Sequence, residues 1–199
     1  AYRQTIRAFN LAEKYQIPVI LLTDQFLQDS TATIPLPDPF NVRILEPDDI
    51  PEKEEYARYR FTDSGLSPRI IPGDHRGFAS ADSDEHDQHG HIIEDARTRV
   101  MMMDKRMGKL DLLRKELQEP EHIGSNDPEV LLLGWGSMSG PLKEAVSLLS
   151  REERKRFAAL VFGDVWPLPQ QRLMKLAANA KALINVEQNY TGQLGGLIR

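Results

Sequence analysis

The sequence predicts an α/β protein whose mostly parallel sheet is covered by helices on both faces, a three-layer sandwich. Three near-continuous apolar runs, Glu129-Val130-Leu131-Leu132-Leu133, Phe157–Phe162 and residues 182–187, read as strands buried on both sides. Each is followed by a segment of helical texture: residues 141–150, where Leu142, Ala145, Val146 and Leu149 share one face, then 170–180, then 190–199. Regular alternation of this kind favours parallel pairing, because a parallel neighbour needs a crossover and a helix supplies one. The third observation is the turn Gly134-Trp135-Gly136-Ser137-Met138-Ser139-Gly140, which is glycine-rich where the backbone passes from the first strand into its helix.

The earlier part of the chain is read in order. Tyr2, Ile6, Phe9, Ala12 and Tyr15 mark one face of a helix, and after Pro18 the run Val19-Ile20-Leu21-Leu22-Thr23 predicts a short buried strand. Asp24 is placed to open a further helix over residues 24–27. Between residues 30 and 73, Pro35, Pro37, Pro39, Pro47, Pro51, Pro68 and Pro72 predict an extended connector. Within it, residues 52–59 have the texture of a helical turn and Arg69-Ile70-Ile71 that of a brief strand. A long helix is predicted over 97–119, with Val100, Met103, Met107, Leu110, Leu113 and Leu117 as its apolar stripe and Pro120 as its stop. Residues 121–127 read as a link.

Composition limits the function classes. The 199 residues suffice for one large or two small domains, and 40% apolar content with 28% charged residues allows a real core. A net charge of −5 leaves no basic surplus to neutralise phosphates, which excludes a nucleic-acid scaffold. With no cysteine, the chain forms no disulfide and supplies no thiolate to zinc or an iron–sulfur cluster. The apolar run at residues 19–22 is far too short to cross a bilayer, and no signal peptide is visible, so the expected location is the cytoplasm. The chain opens on Ala1 within one helical pattern and closes within another, which predicts a piece of a longer polypeptide.

Two stretches invite a chemical reading. Residues 77–91 pack Asp82, Asp84, Glu85 and Asp87 with His86, His89 and His91. Imidazole and carboxylate both ligate divalent ions, but the spacing lacks the helical His-Glu-x-x-His form, and a solvated polar loop explains the composition equally well. Gly134-x-Gly136 follows a strand as in a dinucleotide fingerprint, yet Ser139 stands where the third glycine belongs. Its backbone donors at a helix N-terminus suit an anion or a partner; a plain tight turn is the alternative. Asp164, Trp166 and Pro167 after the second strand, and Glu187, Gln188, Asn189 and Tyr190 after the third, lie at the carboxyl edge, where parallel sheets place their sites. Asp164 and Glu187 are an acid–base pair only if they face each other. No nucleophile elbow is present.

The run Ser83-Asp84-Glu85-His86-Asp87-Gln88-His89-Gly90-His91-Ile92-Ile93-Glu94-Asp95, with Met103-Asp104-Lys105-Arg106-Met107-x-Lys109-Leu110 after it, resembles the alpha subunit of 2-oxoacid:ferredoxin oxidoreductases. The 2-oxoglutarate-type chain is the nearest likeness. Leu132-Leu133-Gly134-Trp135-Gly136-Ser137, Val186-Glu187-Gln188-Asn189-Tyr190-Thr191-Gly192-Gln193-Leu194 and Asp24-Gln25-Phe26-Leu27 extend the resemblance over nearly the whole chain. It implies that residues 1–27 end a pyrimidine-binding α/β domain, that 28–126 form a connector, and that 127–199 begin a domain like the C-terminal domain of transketolase. It implies an enzyme that decarboxylates a 2-oxoacid oxidatively on thiamin diphosphate and magnesium, reduces ferredoxin and forms an acyl-CoA.

The cofactor is expected at an interface with a beta subunit in a hetero-oligomer, and any [4Fe-4S] cluster in partner chains only. The cofactor-contacting glutamate and the substrate loop are expected upstream of Ala1, and the diphosphate–magnesium motif on the partner; Gly73-Asp74-His75 is not that motif. No catalytic, cofactor-binding or metal-ligating residue is therefore assigned to this chain. Glu85, His86, Asp87 and Gly90 are expected to line the active site or an interface, as are Gly134, Ser137, Gln188 and Asn189. The alternative is a stand-alone metal- or anion-binding module built on the histidine-rich loop.

Overall fold

Strand β3 (Phe157–Phe162) is buried along almost its whole length, and the sheet is assembled around it. The computed structural model describes residues 1–37, 43, 45, 55–71 and 73–199. They fall into two compact units, residues 1–21 with 34–115 and residues 22–33 with 116–199.

In the second unit the sheet order is β1-β3-β2-β4, with β1 Glu121–Gly124, β2 Val130–Trp135 and β4 Ala182–Asn185. β2 pairs in parallel with β3, from Val130 opposite Phe157 to Trp135 opposite Phe162, and in parallel with β4 on its other side. Successive side chains alternate across the sheet, so the apolar runs feed two cores. Leu131, Leu133, Ala158, Leu160 and Phe162 meet Leu173 and Leu176 of α5 (Gln171–Ala177) and Leu194 of α6 (Gln193–Ile198). Ala159 and Val161 meet Leu142 and Val146 of α4 (Ser139–Leu148), with Ile123 and Leu132 packed alongside. This is the three-layer, mostly parallel sandwich the sequence predicts.

Two features differ from expectation. The predicted link at 121–127 begins as β1, which runs antiparallel to β3 with Glu121 opposite Val161. β2 takes β3 on one side and β4 on the other, which leaves β3 one free ladder, and this short segment fills it. Residues 19–23, read as a strand, have no regular structure, and Ile20 is 80% exposed. A strand needs a neighbour for its ladder, and none of the described residues supplies one. Asp24 does open a helix, α2 (Gln25–Asp29), with its Oδ1 accepting the Leu27 N–H at 2.9 Å.

The first unit holds α1 (Tyr2–Tyr15) and α3 (Ala96–Leu113), the latter capped by Asp95, whose Oδ1 accepts the Thr98 N–H at 2.8 Å. α3 ends six residues short of the predicted 119, and its inward face keeps only Leu113 and, half-buried, Leu110 of the predicted stripe. Met102, Lys109 and Leu113 are buried, whereas Val100 is 57% and Met107 54% exposed. The inward face includes lysines, whose aliphatic stems pack as apolar matter while the amines reach oxygen atoms. Lys105 Nζ donates to Ser67 Oγ at 2.7 Å and Lys109 Nζ to the Gln16 carbonyl at 3.0 Å. Gln16, in left-handed backbone with φ 51°, ends α1 and bonds the Ser67 backbone through its side chain. Gly65, at φ +72°, lets this segment touch α3: a Cβ there would lie 2.6 Å from the Lys105 carbonyl.

Arg69-Ile70-Ile71 is not a strand; Arg69 pairs with Glu13 instead. Of the predicted helical turn at 52–59, residues 52–54 lie outside the described residues, and Arg58 and Tyr59 form a turn. Pro39, Pro47, Pro51 and Pro72 of the predicted connector also lie outside them.

Two outcomes follow from this packing. Leu160→Ala, at a fully buried site in β3, should lower unfolding stability by about 2–5 kcal/mol in urea titrations. Burial, with Lys109, Arg58 and Arg106 nearby, draws the Lys105 amine down from 10.5 to about 8. The folded state then binds fewer protons than the unfolded chain between those two values. Stability should therefore rise with pH across that window, and Lys105→Met should flatten the rise.

Candidate functional site

The eight residues singled out from sequence fall in two places, one in each unit. Glu85, His86, Asp87 and Gly90 build a tight double-backed turn. His86 and Ile92 form an antiparallel bridge, and the Ile93 N–H donates to the Glu85 carbonyl at 2.9 Å. Asp87 Oδ1 accepts the N–H groups of His89 and His91 at 2.8 and 3.0 Å, an acidic residue tying its own loop. Burial raises the Asp87 carboxyl, but those two backbone donors outweigh it and the net shift is downward. Gly90 sits at φ +89°, where a Cβ would lie 2.0 Å from the Ser80 carbonyl, so only glycine fits.

Glu85 anchors this turn to α3. Its side chain is only 7% exposed and is met by two guanidinium groups, Arg106 in a two-toothed contact and Arg99 at 3.3 Å. The Arg106 hydrogen bond is the main cause holding the Glu85 carboxyl below its ordinary value. His86 lies against the Tyr59 ring with centroids 4.0 Å apart, and its Nδ1 is 3.0 Å from the Asp87 carbonyl oxygen. A cavity of about 330 Å³ beside the turn is lined by Glu55, Ala57, Arg60, Gln88 and His89. Glu85 and Asp87 thus face arginines and backbone N–H groups. Among the described residues no group of three His, Asp or Glu side chains is placed to hold a metal ion, so the metal reading gains no support.

The other four candidates lie at the carboxyl edge of the sheet. Gly134 permits close packing: a Cβ there would lie 2.6 Å from Leu142 Cδ1 of α4. Ser137 starts the turn before α4, and its N–H donates to Asp24 Oδ2 at 3.1 Å. Gly136 stands at φ +57° with the same Oδ2 3.4 Å from where its Cβ would be. Of the anion, the partner or the plain tight turn that the sequence allowed here, the Ser137 N–H meets a carboxylate of the chain itself. Asp24 uses one oxygen to cap α2 and the other for Ser137, and the Ser137 interaction is the chief reason its carboxyl is lowered.

Glu187 is the most heavily engaged acid. Its carboxylate accepts from Asn185, Asn189, the indole N–H of Trp135 at 3.2 Å, and the backbone N–H groups of Leu194 and Gly195, both at 3.1 Å. Burial pushes the carboxyl up, but Asn185, Asn189 and those N–H groups overcome it and hold it at about 2. Asn189 also accepts the Gln193 N–H at 3.0 Å, so together they nucleate α6. Gln188 is exposed at this edge. Glu187 is thus a structural anchor rather than the acid or base of the predicted pair. Asp164 accepts the Gln118 N–H at 2.8 Å.

Neither the glycine turn nor Gly73-Asp74-His75 fits a diphosphate–magnesium group. At the glycine turn a diphosphate would confront the Asp24 carboxylate. Asp74, the acid of Gly73-Asp74-His75, is bound by Arg76 at 2.6 Å and held at about 2 chiefly by that contact. Sequence reasoning missed Arg99, Arg106, Asp24 and Asn185 as members of these clusters. Asp24 was visible as a helix start, but its second bond spans 113 positions, beyond any local pattern.

Comparison with known proteins bears on what these clusters serve. Residues 1–105, more than half of the chain, match the model of the family described as pyruvate flavodoxin/ferredoxin oxidoreductase, thiamine diP-binding. The chain is 34% identical over its full length to the alpha subunit of 2-oxoacid:ferredoxin oxidoreductase 1 of Sulfurisphaera tokodaii, of which it covers 32%. It is 24% identical over 93% of its length to the 2-oxoglutarate synthase subunit KorA of Methanothermobacter marburgensis, covering 49% of that protein. Among solved structures it resembles 2-oxoglutarate:ferredoxin oxidoreductase from Magnetococcus marinus with 2-oxoglutarate, coenzyme A and succinyl-CoA bound. That match has a TM-score of 0.87 at 32% identity and covers 96% of this chain and 33% of the other. The chain thus spans about a third of the length of the 2-oxoacid:ferredoxin oxidoreductase alpha subunits it matches.

The Glu187 cluster yields a direct outcome. Glu187 is held at about 2 when folded against an ordinary 4.5, so its stabilising contribution is full above the higher value and is lost as pH falls toward the lower. Glu187→Gln removes one acceptor from a crowd of donors. It should cost about 1–3 kcal/mol in urea unfolding at neutral pH, with the gap to the parent protein closing as pH falls through that window.

Proposed function

Because this chain belongs to the pyruvate flavodoxin/ferredoxin oxidoreductase family, we propose that it is part of the alpha subunit of a thiamin-diphosphate-dependent 2-oxoacid:ferredoxin oxidoreductase. The assembled enzyme decarboxylates 2-oxoglutarate oxidatively, transfers the acyl group to coenzyme A and passes the electrons to ferredoxin. The observation that carries this reading is the full-length similarity to alpha subunits of that activity. A solved relative with 2-oxoglutarate, coenzyme A and succinyl-CoA bound supports the choice of substrate.

On this reading, residues 1–27 close the pyrimidine-binding domain, 28–126 connect, and 127–199 open the transketolase C-terminal-like domain. The chain contributes assembly surfaces; Glu85, His86, Asp87 and Gly90 are candidates to line the active site or an interface, and so, separately, are Gly134, Ser137, Gln188 and Asn189. Decarboxylation depends on the carbanion chemistry that thiamin diphosphate supplies when bound with magnesium. Glu85, Asp87 and the neighbouring Glu187 hold backbone in place: their carboxylates are met by arginine and N–H donors and held below the ordinary value, which suits these three acids poorly to a general-base role near neutral pH. The partners are a beta subunit in a hetero-oligomer, coenzyme A and ferredoxin, with any iron–sulfur cluster in another chain. No helix among the described residues is long and apolar enough to cross a membrane, and the cytoplasm is the proposed location.

The full-length chain assembled with its beta subunit should reduce an electron acceptor only when 2-oxoglutarate and coenzyme A are both present. Failure of that complex to bind thiamin diphosphate, with no turnover on any 2-oxoacid, would falsify the assignment.

A further inference from the structure

Arg106 serves two acceptors at once. Its guanidinium meets both oxygens of Glu85, with Nη1 3.1 Å from Oε2 and Nη2 against Oε1. The same Nη1 reaches Met103 Sδ, one helical turn earlier on α3, at 3.5 Å. A thioether sulfur is a weak acceptor, so as long as it is unmodified the carboxylate keeps the guanidinium. Glu85 also has a second cation, Arg99 at 3.3 Å. The carboxylate that fastens the turn at 85–93 to α3 thus shares one of its two guanidinium groups with a sulfur whose acceptor strength is open to chemical change. That sulfur is within reach of solvent: Met103 is 37% exposed, against 1% for its neighbour Met102.

We propose that Met103 is a peroxide-modified site whose sulfoxide oxygen draws Arg106 from Glu85 and loosens the turn at 85–93. The reagent is a peroxide, small enough to oxidise an exposed thioether without a binding pocket. The sulfur lone pair attacks one peroxide oxygen, an S–O bond forms and the O–O bond breaks. Sulfur is oxidised by two electrons, and the departing hydroxide takes the proton of the transferred hydroxyl and leaves as water. The product is a polar, charge-free acceptor far stronger than the thioether. An S–O bond followed by a hydrogen bond of about 2.9 Å spans more than the 3.5 Å that now separates Sδ from Nη1. The guanidinium therefore shifts away from its present seat when it follows the new oxygen. Glu85 is not stranded by that shift, because Arg99 still neutralises it; what is lost is the tie between the turn and the middle of α3.

The test treats the full-length assembled protein with hydrogen peroxide, reads each methionine by peptide mass spectrometry and then follows amide exchange across residues 85–93. Met103 should be oxidised together with the more exposed Met107 and Met174, while buried Met102 stays reduced. The His91 and Ile93 amides, which donate to Asp87 and to the Glu85 carbonyl, should then exchange at least about fivefold faster, the change expected when one bond fastening the turn is lost. Methionine sulfoxide reductases should restore the slow exchange. Met103→Leu keeps an apolar side chain without the sulfur and should abolish the change even with Met107 and Met174 oxidised. A Met103 that stays reduced while those two are oxidised overturns the proposal. So does a sulfoxide at Met103 with exchange unaltered, or an acceleration that persists in Met103→Leu. Each of these results is obtained without turnover of a 2-oxoacid, so they stand or fall separately from the proposed activity.

Discussion

A carboxylate withdrawn from water has to be met by donors, and that requirement shapes both candidate clusters. Glu85 meets two guanidinium groups, Asp87 two backbone N–H groups, Asp24 the starts of two helical turns, and Glu187 a ring of amides around the start of α6. Each acid closes a piece of backbone that would otherwise have free polar groups. The turn at 85–93 holds its shape because Asp87 ties it internally and Glu85 fastens it to α3. Short helices such as α2 and α6 are marginal by propensity, and a capping carboxylate offsets the cost of nucleating them.

The same principle explains which parts of the fold were legible in the sequence. β2 and β3 are apolar runs because both of their faces are covered, whereas β4, read from its composition as buried on both sides, is an edge strand with Leu183 and Ile184 nearly half exposed. β1, Glu-His-Ile-Gly, is an edge strand of four residues with one covered face, too short and too polar to stand out. Residues 19–23 carry the composition of a strand without its hydrogen-bonding neighbour. Composition reports a tendency to be buried, while a strand also needs a ladder. α3 shows the converse. Its apolar residues suggested one face, but the interior is lined by Met102, Lys109 and Leu113 because lysine stems serve as packing. A periodicity count that scores lysine as polar shifts the stripe away from Met102 and Lys109 while still catching Leu113.

The candidate residues were legible as a group and not in their roles. Glu85, Asp87 and Gly90 stand within six positions, so their local turn was within reach of sequence reasoning. Arg106 lies 21 positions from Glu85, and Ser137 lies 113 from Asp24. Contacts at such separation depend on tertiary packing. The glycine turn illustrates the consequence: its exposed donors suggested an external anion, and the fold supplies an internal one.

The environment moves the described acids and lysines in different functional directions. Asp24, Asp74, Glu85, Asp87 and Glu187 are all displaced downward, which fixes them as anions at any pH near neutrality. An acid held that way is a durable electrostatic tie and a poor proton carrier, since proton transfer is efficient when the group titrates near the working pH. Lys105 and Lys109 are also displaced downward, but for an amine that direction leads toward neutrality and nucleophilicity. The acids of the first unit therefore act as fixed charges that tie its turn at 85–93 together and fasten it to α3.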